Sequence, residues 1–348
     1  MSQPFPHPRI ASVRPLAAVA GGRVMIRGSG VGGDGETWPE VRIGDVVAQV
    51  VFADRGTVAC LVPAHLGGAS TPVRLATAPG ETAFLNIGAP VATGVHQVDS
   101  PVLSGDGALY LTYSGTRGDQ SPVSVFRVSR DGFREPFVTG ITNPTSMAFD
   151  PTGRLHVSSR FDGTVFAVDA DGRAQQVVTD LGVACGLAFD PDGTLYVGDR
   201  SGTVFRVTSS GQVSSFATLP PSVAAFHLAM APTGELYVTA PTLSTCDAVY
   251  RIDRAGVVTT LTRRFGRPQG LAFDAEGALY VVEALAGASG LYRVRADGDT
   301  EHVVAAPSLV GVAFDPSGGV VVVSDDTAYR FDHLPWAETP LPGAPVRA

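Results

Sequence analysis

The chain has 348 residues, 44% of them hydrophobic and 17% charged, which is ample for large cores and excludes a disordered, solvating chain. The net charge is −8 and no Lys/Arg cluster is interleaved with aromatics, so no nucleic-acid partner is expected. Gly 41 and Pro 26 suit an all-β chain with a turn every few residues, and three cysteines (Cys60, Cys185 and Cys246) are too few for a disulfide framework. Residues 1–7 open a terminus, "MSQPFPHPRIASVRP", with no apolar signal-like run, and no stretch approaches the length of a membrane span. The expectation is no membrane partner and, by default, a cytoplasmic location, with export left open should a leader have been removed.

Residues 8–89 read as short alternating strands: "RIASVRP", "GRVMIRGSG", "EVRIGDVVAQVVFA", "TVACLVP", "STPVRLATA" and "TAFLNIG". Turn signals separate them at the spacing of a small β-sandwich. Through "IASVRPLAAVAGGRVMIRGSGV", "VRIGDVVAQVV" and "VACLVPAHLGGASTPVRLATAPG" the segment resembles the IPT/TIG immunoglobulin-like family. The resemblance implies an accessory binding or spacing domain without catalysis. Packing on the neighbouring domain to stabilise it is the other role open to it.

From residue 90 to residue 332 one phrase recurs. A weak copy, "SPVLSGDGALYLTY" from Ser100, precedes "SMAFDPTGRLHVSS" from Ser146, "GLAFDPDGTLYVGD" from Gly186 and "HLAMAPTGELYVTA" from His227. It returns as "GLAFDAEGALYVVE" from Gly270 and "GVAFDPSGGVVVVS" from Gly311. Six copies roughly 40 to 46 residues apart, each with room for four short strands, predict a six-bladed β-propeller. Aspartates Asp150, Asp190, Asp274 and Asp315 open the turn between the first two strands and are expected to cap it. The sixth copy runs out of chain, because the tail at 333–348 is too rich in proline for a strand. "VATGVHQVD" at 91–99 aligns without a gap on "FVTGITNPT" at 137–145, so residues 91–95 are expected to complete the sixth blade and close the ring.

In such a ring the start of strand one and the end of strand two share a rim. The aligned first positions are Asp99, Thr145, Cys185, Phe226, Gln269 and Val310, followed one residue later by His227 in the fourth copy. Strand two ends at Tyr113, Ser159, Asp199, Ala240, Glu283 and Ser324. Thr145, Cys185, Phe226, Gln269 and Tyr113 are the ligand-contact candidates. Asp99, Asp199 and Glu283 are candidate ligands for a divalent cation, Ca or Zn, since hard cations gather several carboxylate oxygens; solvated carboxylates bonded to backbone donors are the alternative. Asp99 and His227 are the catalytic candidates, with His227 as a general base or as a buried, hydrogen-bonded channel residue. Cys185 lacks a base partner in the sequence and reads as an apolar filler; a bridge from it to Cys246 is open but unforced.

Through its "GLAFD…G-x-L-Y-V" phrases and the "VYRID" and "LYRVRADG" third strands, this part resembles the NHL-repeat and regucalcin/gluconolactonase propellers. The resemblance implies a divalent metal at the channel mouth, held by a carboxylate at the Asp99 position and by later first positions. Here those are Cys185, Phe226 and Gln269, where the family has Asn, Asn and Asp. Two functions follow. One is a recognition module whose rim binds a small molecule, a glycan or a protein; the other is a metal-dependent lactone or ester hydrolase. The expected architecture is all-β: a six-bladed β-propeller preceded by a small immunoglobulin-like β-sandwich.

Overall fold

Apolar residues alternating with polar ones every second position become strands in the computed structural model, which describes residues 8–33 and 37–334. Among the described residues there is no helix. The residues through Ala89 pack with His302–Ala306 as one unit, and Pro90–Glu301 with Pro307–Arg330 form the other. The expected tails, 1–7 and almost all of 333–348, lie outside the described residues.

The first unit contains β1 (Arg9–Arg14), β2 (Ala17–Ala18), β3 (Arg23–Ser29), β4 (Val41–Ile43), β5 (Val46–Ala53), β6 (Thr57–Leu61), β7 (Ala69–Leu75) and β8 (Ala83–Ile87). They pair in the order β1-β3-β6-β5-β4-β7-β8-β2, antiparallel except for the parallel β8–β2 step. In β3 the alternation is plain: Val24 and Ile26 are fully buried while Arg23 and Arg27 face out. They join Val41, Ile43, Val58, Val73 and Leu85 in a dry core, where burial pushes the Cys60 thiol up to about 12. Val304 and Ala305, which pack with this unit, pair in parallel with Ala17 and Ala18.

The second unit begins with β9 (Ala89–Ala92). The first repeat follows as β10 (Val102–Leu103), β11 (Leu109–Thr112), β12 (Val125–Val128) and β13 (Arg134–Val138). The second is β14 (Pro144–Phe149), β15 (Leu155–Ser159), β16 (Thr164–Val168) and β17 (Ala174–Val178). The third is β18 (Ala184–Phe189), β19 (Leu195–Asp199), β20 (Thr203–Val207) and β21 (Val213–Thr218). The fourth is β22 (His227–Met230), β23 (Leu236–Thr239), β24 (Asp247–Ile252) and β25 (Val258–Phe265). The fifth is β26 (Pro268–Phe273), β27 (Leu279–Glu283), β28 (Gly290–Val294) and β29 (Thr300–Ala305), and the last is β30 (Leu309–Phe314), β31 (Val320–Ser324) and β32 (Ala328–Phe331).

Five four-stranded sheets stand apart: repeats one to four, and β30-β31-β32-β9. The fifth repeat departs from the expected six separate sheets. Its strands run in the same order, β26-β27-β28-β29, but not as a separate four-stranded sheet. The outermost strand of the last sheet is Ala89–Ala92, two residues earlier than the expected start at Val91. The first strands neighbour one another in the order β10, β14, β18, β22, β26, β30 and back to β10.

The repeated Tyr and Phe join neighbouring sheets. Tyr110 meets Phe149 edge-on at 5.6 Å, Tyr237 meets Phe273 at 5.1 Å, and Tyr280 lies 4.6 Å from Phe314. His156 takes the tyrosine's place against Phe189 at 4.8 Å. The turn aspartates act locally. Asp190 Oδ1 accepts from Asp192 N at 3.0 Å and Thr194 N at 2.8 Å, and Asp150, Asp274 and Asp315 accept from their own turns in the same way.

These caps carry a pH dependence. Bonds from the Ser317 backbone and hydroxyl hold the Asp315 carboxyl below the ordinary 3.8. At Asp150 burial acts upward, but the bonds from Thr152 and Arg154 win and the carboxyl again lies low. A carboxyl lowered by folding stabilises the fold above its unfolded value and loses that contribution as the pH falls through its folded value. The contribution of these caps should therefore be constant from pH 7 to pH 5 and fall below about pH 4. The fall should be smaller in an Asp150→Asn/Asp315→Asn double variant, as read by urea denaturation across pH.

Candidate functional site

The rim residues come from the same end of every sheet. Pairing Ala184 with Asp199, Pro268 with Glu283 and Leu309 with Ser324 puts the end of strand two beside the start of strand one. At this end three candidates come together. His227 Nδ1 donates to Asp99 Oδ1 at 2.6 Å, and His227 Nε2 lies 3.2 Å from the Gln269 side-chain amide. A carboxamide offers both a donor and an acceptor, so Gln269 complements either state of that nitrogen.

Asp99 Oδ1 also accepts from Ser100 N at 2.6 Å. Gln97 braces this arrangement by donating to Asp99 O at 2.8 Å and accepting from Thr112 N at 2.7 Å. Thr239 donates to Gln269 O at 2.5 Å. All but Ser100 are buried, with His227 at 0% exposure. Asp99 precedes β10 while His227 opens β22, on the opposite side of the ring of first strands. The Asp99–His227 bond therefore reaches across the ring of first strands.

Asp199 and Glu283 lie at the same rim and bond within their own repeats rather than to the Asp99–His227 cluster. Asp199 accepts from Val183 N at 2.8 Å and from the Ser201 hydroxyl. Glu283 accepts from Gly266 N at 2.6 Å, Arg267 N at 2.9 Å and Leu285 N at 2.7 Å. Each is spent on tying the chain that enters strand one to the end of strand two in its own repeat. Ser159 does the same by donating to Thr142 O at 2.6 Å. Among the described residues no three His, Cys, Asp or Glu are grouped to hold a metal ion.

The ligand-contact candidates are also redistributed. Thr145 is fully buried and donates to Asn143 O at 3.1 Å. Phe226 is fully buried, packed with Leu228 and Cys185 and against Gly198, so it serves the core between the third and fourth sheets. Tyr113 is half-buried, its ring 6.0 Å from His96 and edge-on to it. Burial pushes the Cys185 thiol up to about 11, and all three cysteines are free, so no Cys185–Cys246 bridge forms. Iodoacetamide at pH 8 should label exposed Cys246 in the native protein and reach Cys60 and Cys185 only after denaturation. Mass spectrometry of the alkylated peptides checks this.

The sequence reading did not single out Asn143 or the arginines beside it. Asn143 adopts a left-handed backbone (φ 46°) and clasps the loop after β11. Its Nδ2 donates to Ser114 O at 2.6 Å and Thr116 O at 2.8 Å, and its Oδ1 accepts from Gly118 N at 2.7 Å. Arg160 and Arg200 follow strand two directly in the second and third repeats ("VSSR", "VGDR"), a recurrence visible in the sequence.

Comparison with known proteins agrees with this division of the chain. Residues 8–86 match the IPT/TIG domain family, and residues 186–207 match the strictosidine synthase-like N-terminal family. No curated protein matches. Among solved structures, XC5397 from Xanthomonas campestris, a gluconolactonase, superposes with a TM-score of 0.60 at 17% identity, over 71% of this chain and 89% of that one. An auxiliary nutrient binding protein from Bacteroides thetaiotaomicron superposes with a TM-score of 0.57 at 12% identity, over 93% of this chain and 97% of that one. Virginiamycin B lyase from Staphylococcus aureus gives 0.51 at 12%, over 68% and 97%. The fold is a β-propeller. At these identities the likeness extends to the fold alone.

The gluconolactonase-like propeller implies a divalent metal at the channel mouth, and the residues present do not fit one. Of the corresponding positions, Asp99 is engaged by His227 and Ser100, Phe226 has no donor atom, and Gln269 faces His227. Asp199 and Glu283 are held by backbone amides of their own repeats and not turned to Asp99.

Proposed function

We propose that this propeller is a recognition module that binds a small molecule at the rim around its channel mouth, with the IPT/TIG domain as an accessory. One observation carries the reading: the groups that could do chemistry at the rim are already committed to one another or to the backbone. His227 is held between Asp99 and Gln269, Glu283 accepts three backbone amides, and the Cys185 thiol is pushed up to about 11. Such groups hold a rigid surface rather than attack a substrate. The match to the auxiliary nutrient binding protein, which extends over 93% of this chain, supports the same reading. We also infer that the fifth repeat counts as a blade, making six, and that residues 8–89 form an immunoglobulin-like sandwich.

Thermal-shift screening against small carboxylates, sugars and sugar acids is expected to find saturable stabilisation. Lactone hydrolysis should stay at the buffer rate with and without chelator. Chelator-sensitive turnover would overturn the reading.

One observation favours a hydrolytic alternative. The Asp99–His227 pair has the geometry of an oriented general base, with the imidazole fixed through Nδ1. In that reading turnover of a lactone or ester is lost in His227→Ala and is indifferent to chelator.

A further inference from the structure

We propose that the rim over the second and third repeats is an oxyanion site, in which Arg117, Arg160 and Arg200 receive the carboxylate, phosphate or sulfate group of a small molecule. The proposal deepens the recognition reading and rests on it for the molecule that carries the anion.

Arg160 and Arg200 occupy the same position in adjacent repeats, directly after β15 and β19, and each returns its backbone amide to the start of its own sheet. Arg160 N donates to Asn143 O at 3.4 Å and Arg200 N to Val183 O at 3.3 Å. Arg117 arrives from the loop after β11. Asn143 holds that loop at Ser114, Thr116 and Gly118, so a single residue fixes both the Arg117 loop and the Arg160 backbone. Gly118 lies against the ring of Phe161, so the chain beside Arg117 adjoins the chain beside Arg160.

Burial, together with the like charges of Arg117 and Arg200, holds the Arg160 guanidinium below its ordinary value. Like charges brought together and partly desolvated raise the energy of the empty arrangement, and an anion relieves it. The protein itself supplies no such relief. The buried Nε of Arg160 has no hydrogen-bond partner, and no ion pair among the described residues involves any of the three. The carboxylate closest in sequence to Arg160, Asp162, accepts from the Ser159 hydroxyl at 3.1 Å instead. Arg200 spends one Nη on Val223 O at 3.1 Å, which orients its remaining donors without neutralising its charge. A planar guanidinium with unused donors suits the paired oxygens of a carboxylate or phosphate.

The test is isothermal titration of the full chain with inorganic phosphate at constant ionic strength. The wild type should bind one equivalent. Arg160→Met should weaken binding roughly tenfold or more, as loss of a charge-assisted bidentate contact does. Exposed Arg117→Ala, which removes no packing, should weaken it several-fold, and Arg160→Lys should recover part of the loss. Arg263→Met, on the outer strand β25, should change nothing. Failure of the wild type to bind phosphate, or equal binding by Arg160→Met and Arg117→Ala, overturns the proposal. A neutral ligand found by screening that binds wild type and Arg160→Met alike would uphold the recognition reading and sink the oxyanion site. Phosphate binding with no organic ligand would do the reverse.

Discussion

Gly311→Ala is expected to lower the melting temperature by roughly 6–12 °C. A Cβ at this position would lie 2.3 Å from Ser100 Cα, and 2.7 Å from both Ser100 N and Asp99 O. All three atoms are backbone, so no side chain can turn away. Relief requires the first strands β30 and β10 to separate at the point where the ring closes. The cost should be about 3 kcal/mol, the upper end of overpacking penalties. Gly105→Ala, where an added Cβ meets nothing within 4 Å, is the control and should leave the melting temperature unchanged. Equal melting temperatures for the two variants would mean that the ring is open between its last and first sheets.

Asp99→Ala should cost about 2–4 kcal/mol of folding free energy and remove ligand binding with it. The substitution strips two donors, buried His227 Nδ1 and part-buried Ser100 N, of one acceptor oxygen, and frees the imidazole that reaches across the ring. Asp99→Asn keeps an oxygen at that place and should recover more than half of the loss. Urea denaturation of the two variants beside wild type decides the matter. A fully stable Asp99→Ala protein would show that the carboxylate faces solvent rather than spanning the ring.

Both predictions depend on the closeness of first strands round the channel, and the repeat pattern already hints at it. The second position of the phrase is Ser, Gly or His in every copy. Gly186, Gly270 and Gly311 each abut the backbone of the next repeat, and Ser146 uses its hydroxyl to accept from Leu187 N at 3.1 Å. The larger His227 fits because it points across the channel to Asp99.

Local features were legible in the sequence because their causes are local. A turn aspartate bonds amides two and four residues on, and a strand alternates because its faces do, so repeats, turns and strand order could be read directly. The convergence of Asp99, His227 and Gln269 on one rim was also readable, since strand direction and repeat alignment place them there. What each side chain does at that rim was decided only by the tertiary structure. Asp99 and His227 are 128 residues apart and meet because the ring closes, while Asp199 and Glu283 turn to amides that only the folded sheet brings within reach. The same holds for Asn143, whose side chain grips a loop 25 to 29 residues earlier, and for Val304 and Ala305, paired with β2 near the other end of the chain. A carboxylate looks the same in a sequence whether it binds a cation or a backbone amide. The choice rests on which donors reach it first, and in this propeller they are the amides of the neighbouring chain.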